Sequence, residues 1–408
     1  MKQVAGAENV HAWIVNTPSH PSHPGYAADS PIEIWGLSPL ERLRRTLHTA
    51  GVPDSHIHTG AAAAATAQGV PVILLRADYV FDERLIRALI EQKPTCGVVL
   101  VDPDNQTPVA AVTTRGQLDA VLPFLLDAAE IPAEQPNNID YFEPAALVSA
   151  YSSALRKFDP PYLLPVRSEK LVQIENRIFG ASYKGITDVV TKWVWPLPAR
   201  AVTRLLARFH VRPNMVTGLS WVLVGAAIRL FVEGHFGLGL LCAWLMTFLD
   251  TVDGKLARVT FTSSRVGHVL DHGLDLVHPP FWYLAWVTGL SGSVSIDVIW
   301  VDPTTAIIIG GYIIGRLLEG LFMLAFHMEI HSWRPVDSFF RTITARRNPN
   351  LILLTLGTCV SRPDLGFWLV AVWTVCSLVF HTVRFGQAFI QRWYGQPIQT
   401  WQVSRTPA

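Results

Sequence analysis

The chain has 408 residues, half of them hydrophobic, and its 33 Lys and Arg against 32 Asp and Glu leave a formal charge of only +1. That balance gives no basis for a nucleic-acid or generally acidic partner, while a mean hydropathy of +0.28 is high for a soluble protein of about two domains. Cys96, Cys242, Cys359 and Cys376 lie far apart and read as reduced packing residues, not disulfides or a zinc site. The stretch from Met1 to Glu8 lacks a long apolar core, so no signal peptide is expected.

Residues 1–160 have the rhythm of a soluble α/β domain. His11 to Asn16 predicts a short strand, and the run from Ser38 to Leu47 a capped amphipathic helix. Val70 to Leu75 predicts a buried strand leading into Arg76 and Asp78, followed by a helix from Glu83 to Glu91 and a strand from Gly97 to Asp102. This alternation predicts a parallel, Rossmann-type sheet with helices on both faces. After the first strand comes Thr17-Pro-Ser-His20-Pro-Ser-His23-Pro-Gly-Tyr26. Proline removes the backbone donors that a phosphate-binding loop would use, and His20 and His23 read as solvated loop residues.

Residues 161–212 read as a linker with a juxtamembrane amphipathic helix. From Tyr183 through Lys184, Asp188, Lys192, Trp193 and Trp195 to Arg200, charges alternate with aromatics, a mixture that favours the headgroup layer. Six hydrophobic segments follow, near 214–232, 237–256, 266–289, 304–328, 349–361 and 364–388, predicting a six-helix transmembrane domain over 213–393 and a tail over 394–408. The fifth is the shortest. Arg204, Arg208 and Arg212 precede the first span, and Arg334, Arg341, Arg346 and Arg347 lie between the fourth and fifth. Positive-inside logic therefore predicts a cytoplasmic N-terminal half, motif loop and C-terminus. Arg346 and Arg347 fit either an acceptor or headgroup contact or a topological anchor. Arg316 and Glu319, three apart, fit either a pair with each other or a substrate role. Arg384 and His381 are placed to snorkel to the interface.

The second and third spans hold the pattern that carries chemistry. Asp250, Asp253, Gly254 and Ala257 share one helical stripe, followed by Arg258, and Gly267, Asp271 and Asp275 share another. Carboxylates in hydrophobic segments are costly unless neutralised, and the cheapest compensation for four of them is divalent metal. Hard oxygen donors without nearby Cys favour Mg²⁺ or Mn²⁺. A diphosphate substrate needs cations on its oxygens, which paired metals and an arginine supply. A hydroxyl acceptor needs a base, and a fourth carboxylate is available.

The order D-x2-D-G-x2-A-R-x8-G-x3-D-x3-D resembles the signature of the CDP-alcohol phosphotransferase (phosphatidyltransferase) family of integral membrane enzymes. The resemblance implies transfer of a phospho-alcohol from a CDP-linked donor to an alcohol acceptor in a lipid bilayer, with release of CMP. It also implies a homodimer and two Mg²⁺ or Mn²⁺ ions. By position, Asp250, Asp253 and Asp271 would be metal ligands, and Asp275 the catalytic base, close to the metal as well. Gly254, Ala257 and Gly267 would make room for the nucleotide, and Arg258 would neutralise phosphate. The element Pro213-Asn214-Met-Val-Thr217 is similar to the family's P-N-x-x-T, which puts Asn214 and Thr217 near the nucleotide. Asp271-His272-Gly273 resembles the D-H-G of choline and ethanolamine phosphotransferases, with His268 and His272 flanking the carboxylates. The N-terminal run S-P-L-E-R-L and Asp78 resemble sugar-1-phosphate nucleotidyltransferases, a domain found fused to such enzymes in inositol pathways. The Gly-rich loop and lysine of those transferases are not matched here, so a non-catalytic domain is expected. A membrane transporter with an acidic ion path is the competing reading of the acids.

Overall fold

The computed structural model describes residues 4, 6–15, 32–59, 71–92, 97–126, 139–292 and 302–402; within these, the side chains of 115–117, 119, 120, 124, 265, 266, 268, 271, 272 and 274 lie outside the description. The loop of His20 and His23 and the position of Cys96 also lie outside the described residues. The chain divides into two compact units. One comprises Met1–Ser152, Phe158–Ser182 and Val259–Phe261, and the other Ser153–Lys157, Tyr183–Arg258 and Thr262–Ala408.

In the first unit, β1 (His11–Val15), α1 (Pro39–Ala50), β2 (Ile57–Thr59), β3 (Val72–Arg76), β4 (Tyr79–Phe81), α2 (Glu83–Glu91), β5 (Gly97–Val101), β6 (Pro108–Thr113), α3 (Arg115–Leu126) and β7 (Ile139–Phe142) follow one another. Ser38 caps α1 by accepting from the Glu41 amide, and Asp82 caps α2 by accepting from the Arg84 amide. Each thereby satisfies a donor that the first helical turn leaves open. The main sheet runs β2-β1-β3-β6-β5-β7. It is mixed, correcting the expectation of a parallel sheet: β6 is antiparallel to both β3 and β5, while β1 is parallel to β2 and β3. The reason is local. Only Asp102 to Thr107 separate β5 from β6, too few for the crossover that parallel strands need. That connection closes on itself, with Asp102 accepting from the Asp104 amide and Asn105 from the Thr107 amide, each at 3.0 Å.

After the one-turn α4 (Pro144–Leu147), α5 (Leu171–Ala181) completes the first unit. Its Glu175 accepts from the Trp35 amide at 3.1 Å.

The second unit is helical. Its helices are α6 (Pro196–Arg208), α7 (Pro213–Val232), α8 (Phe236–Val259), α9 (Arg265–Ser291), α10 (Pro303–Phe326), the short α11 (Pro335–Phe340), α12 (Arg347–Cys359) and α13 (Pro363–Trp393). The region expected to form one amphipathic helix is a wide-turn segment, Val190–Val194, running into α6, with Trp193, Leu197, Leu205 and Phe209 exposed. Among the described residues, four helices, α7, α8, α10 and α13, are long and apolar enough to cross a membrane, which makes this a membrane unit. Of the other two expected spans, α9 has 27 residues with polar groups in its first half. The fifth, α12, has 13 residues and is only about 20 Å long, short of a hydrocarbon core.

The bundle packs around Val224, Phe231, Met246, Trp282, Trp286, Ile308, Leu354 and Phe367. The close contact of α12 with α13 depends on glycine: a Cβ on Gly357 would lie 2.5 Å from the Cα of Gly366, nearer than any side chain tolerates. Arg384, expected at the interface, is instead buried, donating to both carboxylate oxygens of Asp337 at 2.6 and 2.8 Å. The fixed fork of a guanidinium matches a carboxylate in this way.

Candidate active site

Three helices bring the motif together. Pro213 stands at the start of α7, where its missing N–H costs nothing, and this sets Asn214 and Thr217 one turn apart. Thr217, itself buried, donates to Asp253 Oδ2 on α8 at 2.6 Å. Ser264 caps α9, accepting from the Gly267 amide at 2.9 Å, and Asn214 Nδ2 donates to the same Ser264 hydroxyl at 3.3 Å. A Cβ at Gly267 would lie 2.5 Å from Asn214 Oδ1, so the glycine is what lets α7 approach the start of α9. The P-N-x-x-T element thus touches the aspartate motif twice, once through each of its polar residues. A Cβ at Gly254 would sit 3.2 Å from the Arg258 guanidinium, so Gly254 makes room first of all for that arginine.

Arg347, the first residue of α12, completes the arrangement, and its contacts there are absent from the reading of the sequence. Its Nη2 donates to Asp250 Oδ2 at 2.5 Å and its Nη1 to Asp275 Oδ1 at 2.7 Å. One guanidinium therefore ties α8 to α9. The two carboxylates differ in setting: the Asp250 side chain is 11% exposed and that of Asp275 54%. Asp253 is buried at 3%. Asp271 stands one turn before Asp275 on α9, and its side chain, like those of His268 and His272, lies outside the described residues. Among the described residues, no three carboxylate, imidazole or thiol groups close on one point.

The donor set nevertheless suits a hard divalent ion. Asp250 and Asp275 reach one cation from two helices, and the neighbouring donors Asp253 and Thr217 are oxygen only.

Next to the aspartates lies a small cleft whose lining includes Tyr312, Arg316, Glu319, Arg346, Ser377 and His381. Tyr312 joins the two features, its hydroxyl donating to the Leu276 carbonyl at 2.8 Å. Glu319 pairs with Arg316 as the three-residue spacing predicts, and also with Arg346 and His331. Burial pushes the His331 imidazole down to about 3, against the pull of its bond to Glu319. Burial, then the nearby Arg346 charge, pushes Arg341 down to about 9. Asp188, ahead of the membrane helices, would be raised by burial. Hydrogen bonds from Thr191 and Asn348 outweigh that and hold its carboxyl below the ordinary range.

Carboxylates of α8 and α9, the small residue Gly267 and the arginine at the start of α12 are thus gathered among apolar helices, where charge is costly unless it is paired. Residues 210–340 match the family model described as CDP-alcohol phosphatidyltransferase. A CDP-alcohol phosphatidyltransferase class-I family protein of Schizosaccharomyces pombe, itself uncharacterized, is 31% identical over 81 residues, 17% of this chain and 21% of the relative. Cholinephosphotransferase 1 of Xenopus laevis is 28% identical over 137 residues, 31% of this chain and 33% of the relative. Cholinephosphotransferase 1 of Danio rerio is 27% identical over 123 residues, 29% and 32% of the two chains. The aligned stretch thus spans between a fifth and a third of these relatives.

Proposed function

We propose that the protein is an integral membrane CDP-alcohol phosphotransferase of phospholipid or inositol-type phosphodiester synthesis. It moves a phospho-alcohol from a CDP-linked donor to a hydroxyl acceptor and releases CMP. The observation that carries this reading is the convergence of Asp250 and Asp275 on the guanidinium of Arg347, with Asp253 held by Thr217; the three acids and Thr217 lie within residues 210–340, which match the family model, and Arg347 lies just beyond them. The relatives described as cholinephosphotransferases support the reaction class. A transporter reading of the same acids has no comparable support.

Asp250, Asp253, Asp271 and Asp275 would hold Mg²⁺ or Mn²⁺, which when bound neutralises the diphosphate and stabilises charge passing to the departing CMP. Arg258 meets a phosphate oxygen. Gly254, Ala257 and Gly267 keep side-chain bulk away from the nucleotide, and Asn214 and Thr217 fix the elements around it. Asp275, more exposed than Asp250 and Asp253, takes the acceptor's proton as the acceptor oxygen attacks the donor's alcohol-side phosphorus and the bond to CMP breaks.

In this reading α9 and α12 complete a six-helix membrane domain, with the N-terminal unit and the motif on the cytoplasmic side as the arginine-rich loops require. The assembly expected from the family resemblance is a homodimer, and the N-terminal unit is non-catalytic.

The test is CMP release from a CDP-alcohol by the full chain purified in detergent, with and without EDTA. Release should stop with chelator and with Asp250→Asn, and Mg²⁺ or Mn²⁺ should restore the wild type. Undiminished turnover in either condition would sink the reading.

A further inference from the structure

We propose that Arg347 is a built-in counter-cation: it holds Asp250 and Asp275 while the site carries no divalent ion, and an entering ion must displace it. The inference rests on the metal reading above and adds to it a competitor from the protein's own chain.

Four observations carry it. First, the guanidinium splits its donors between carboxylates on two different helices, an arrangement that binds both without closing a bidentate pair with either. Second, the Arg347 side chain is 16% exposed and that of Asp250 11%. An acid so placed in a membrane bundle needs a cation at all times. Third, the oxygens that Arg347 holds are the hard donors a divalent ion would take, so the two cations exclude one another at those atoms.

The fourth observation concerns what can move. Asn348 is buried and donates to Asp188 at 2.9 Å, and Asn350 is buried and donates to the Tyr283 hydroxyl at 2.7 Å. Arg346 is tied to Glu319. The backbone around Arg347 is therefore anchored on both sides, so a response to an entering ion falls to the arginine side chain, whose Nη1 also lies 3.9 Å from Met246 Sδ. Displacement then costs a rotamer change and one pair of charge-assisted bonds, with no rearrangement of α12. Two consequences follow. The site has a threshold for divalent ion set by the competitor, and once displaced, a cation is left beside the diphosphate at the moment the substrate brings negative charge.

The experiment is Mn²⁺ titration of the full chain in detergent, read from the electron paramagnetic resonance signal of the free ion and requiring no turnover. Arg347→Gln removes the competitor and should bind Mn²⁺ about tenfold more tightly than wild type, as expected when a competing state that dominates the population is abolished. Arg347→Lys keeps one charge but cannot bridge two carboxylates, and should fall between. Should Arg347→Gln be unstable without metal, purification in Mn²⁺ followed by stepwise withdrawal gives the same comparison. Equal or weaker binding in both variants, eluting as the wild type does, overturns the inference and makes Arg347 a fixed brace. A wild type and variants that take up no Mn²⁺ overturn the inference together with the metal reading. Uptake by wild type without tightening in the variants overturns the inference alone.

Discussion

Each unit of the molecule buries an arginine against aspartate, and the two arrangements differ in a way that separates structure from chemistry. In the α/β unit, Arg76 donates to both oxygens of Asp78 at 2.9 and 2.6 Å, with the arginine side chain 1% exposed. The pair is closed: one fork, one carboxylate, two residues apart. Nearby, the Tyr79 hydroxyl donates to Asp102 at 2.9 Å, and burial, followed by the Asp102 charge, raises its phenol. In the helical unit, Arg347 serves two acids on two helices, and a third, Asp253, is held by a hydroxyl. An ion pair built for stability saturates a carboxylate. A site built for substrate or metal gathers carboxylates from different helices on one cation.

The sharpest way to break that contrast is to neutralise one acid in each unit. Asp253→Asn should lower CMP release by about 10³-fold or more, the scale of losing a charge that stabilises a transferring phosphoryl group, while the protein still purifies. Asp78→Asn should do the opposite. It leaves a buried guanidinium poorly matched and should destabilise its unit by ~3–5 kcal/mol, seen as earlier thermal unfolding or faster proteolysis, with turnover per folded molecule unchanged. Loss of turnover in folded Asp78→Asn would erase the distinction between the units.

A smaller effect is expected one step from the chemistry. Thr217→Val removes the hydroxyl that orients Asp253 and should cost about 10–100-fold in activity, the usual range for a residue that positions a ligand. The loss should be accompanied by a higher Mn²⁺ requirement. Full activity at unchanged Mn²⁺ would show that Asp253 needs no such support.

What the sequence made legible was local. Strand and helix segments of the first unit, the Ser38 cap and the placing of Asp250 on α8 and Asp275 on α9 all follow from periodicity and short spacing. The sites made by distant residues were not. Arg347 lies 97 residues from Asp250 and 72 from Asp275, and no pattern links them beyond a cluster of loop arginines that fits anchoring equally well. Thr217 is 36 residues from Asp253. Its place in a P-N-x-x-T element pointed to the nucleotide and carried no signal of the bond to Asp253. The mixed sheet had a readable signal in Asp102-Pro-Asp-Asn-Gln-Thr107, six turn-forming residues too short for a parallel crossover. The burial of Arg384 had none, because its partner Asp337 lies 47 residues away on another helix.

The smallest effect tests the polar cluster beside the site. His331, only 3% exposed, faces Glu319 at 3.3 Å and Arg346 at 3.3 Å, with His381 packed against its ring and Arg316 bound to the same glutamate. Burial holds its folded-state value at about 3, below the ~6.5 of an unfolded histidine. On acidification the unfolded chain takes up this proton first. Stability is therefore whole above pH ~6.5 and falls as pH drops toward 3, by at most ~1.4 kcal/mol per pH unit from this group. His331→Gln has no proton to take up, so its thermal midpoint should change less than that of wild type between neutral pH and about pH 5. Parallel pH profiles for the two proteins would assign the acid sensitivity elsewhere. A steeper wild-type profile would identify this buried imidazole, neutral among arginines, as the group that makes the cluster acid-labile.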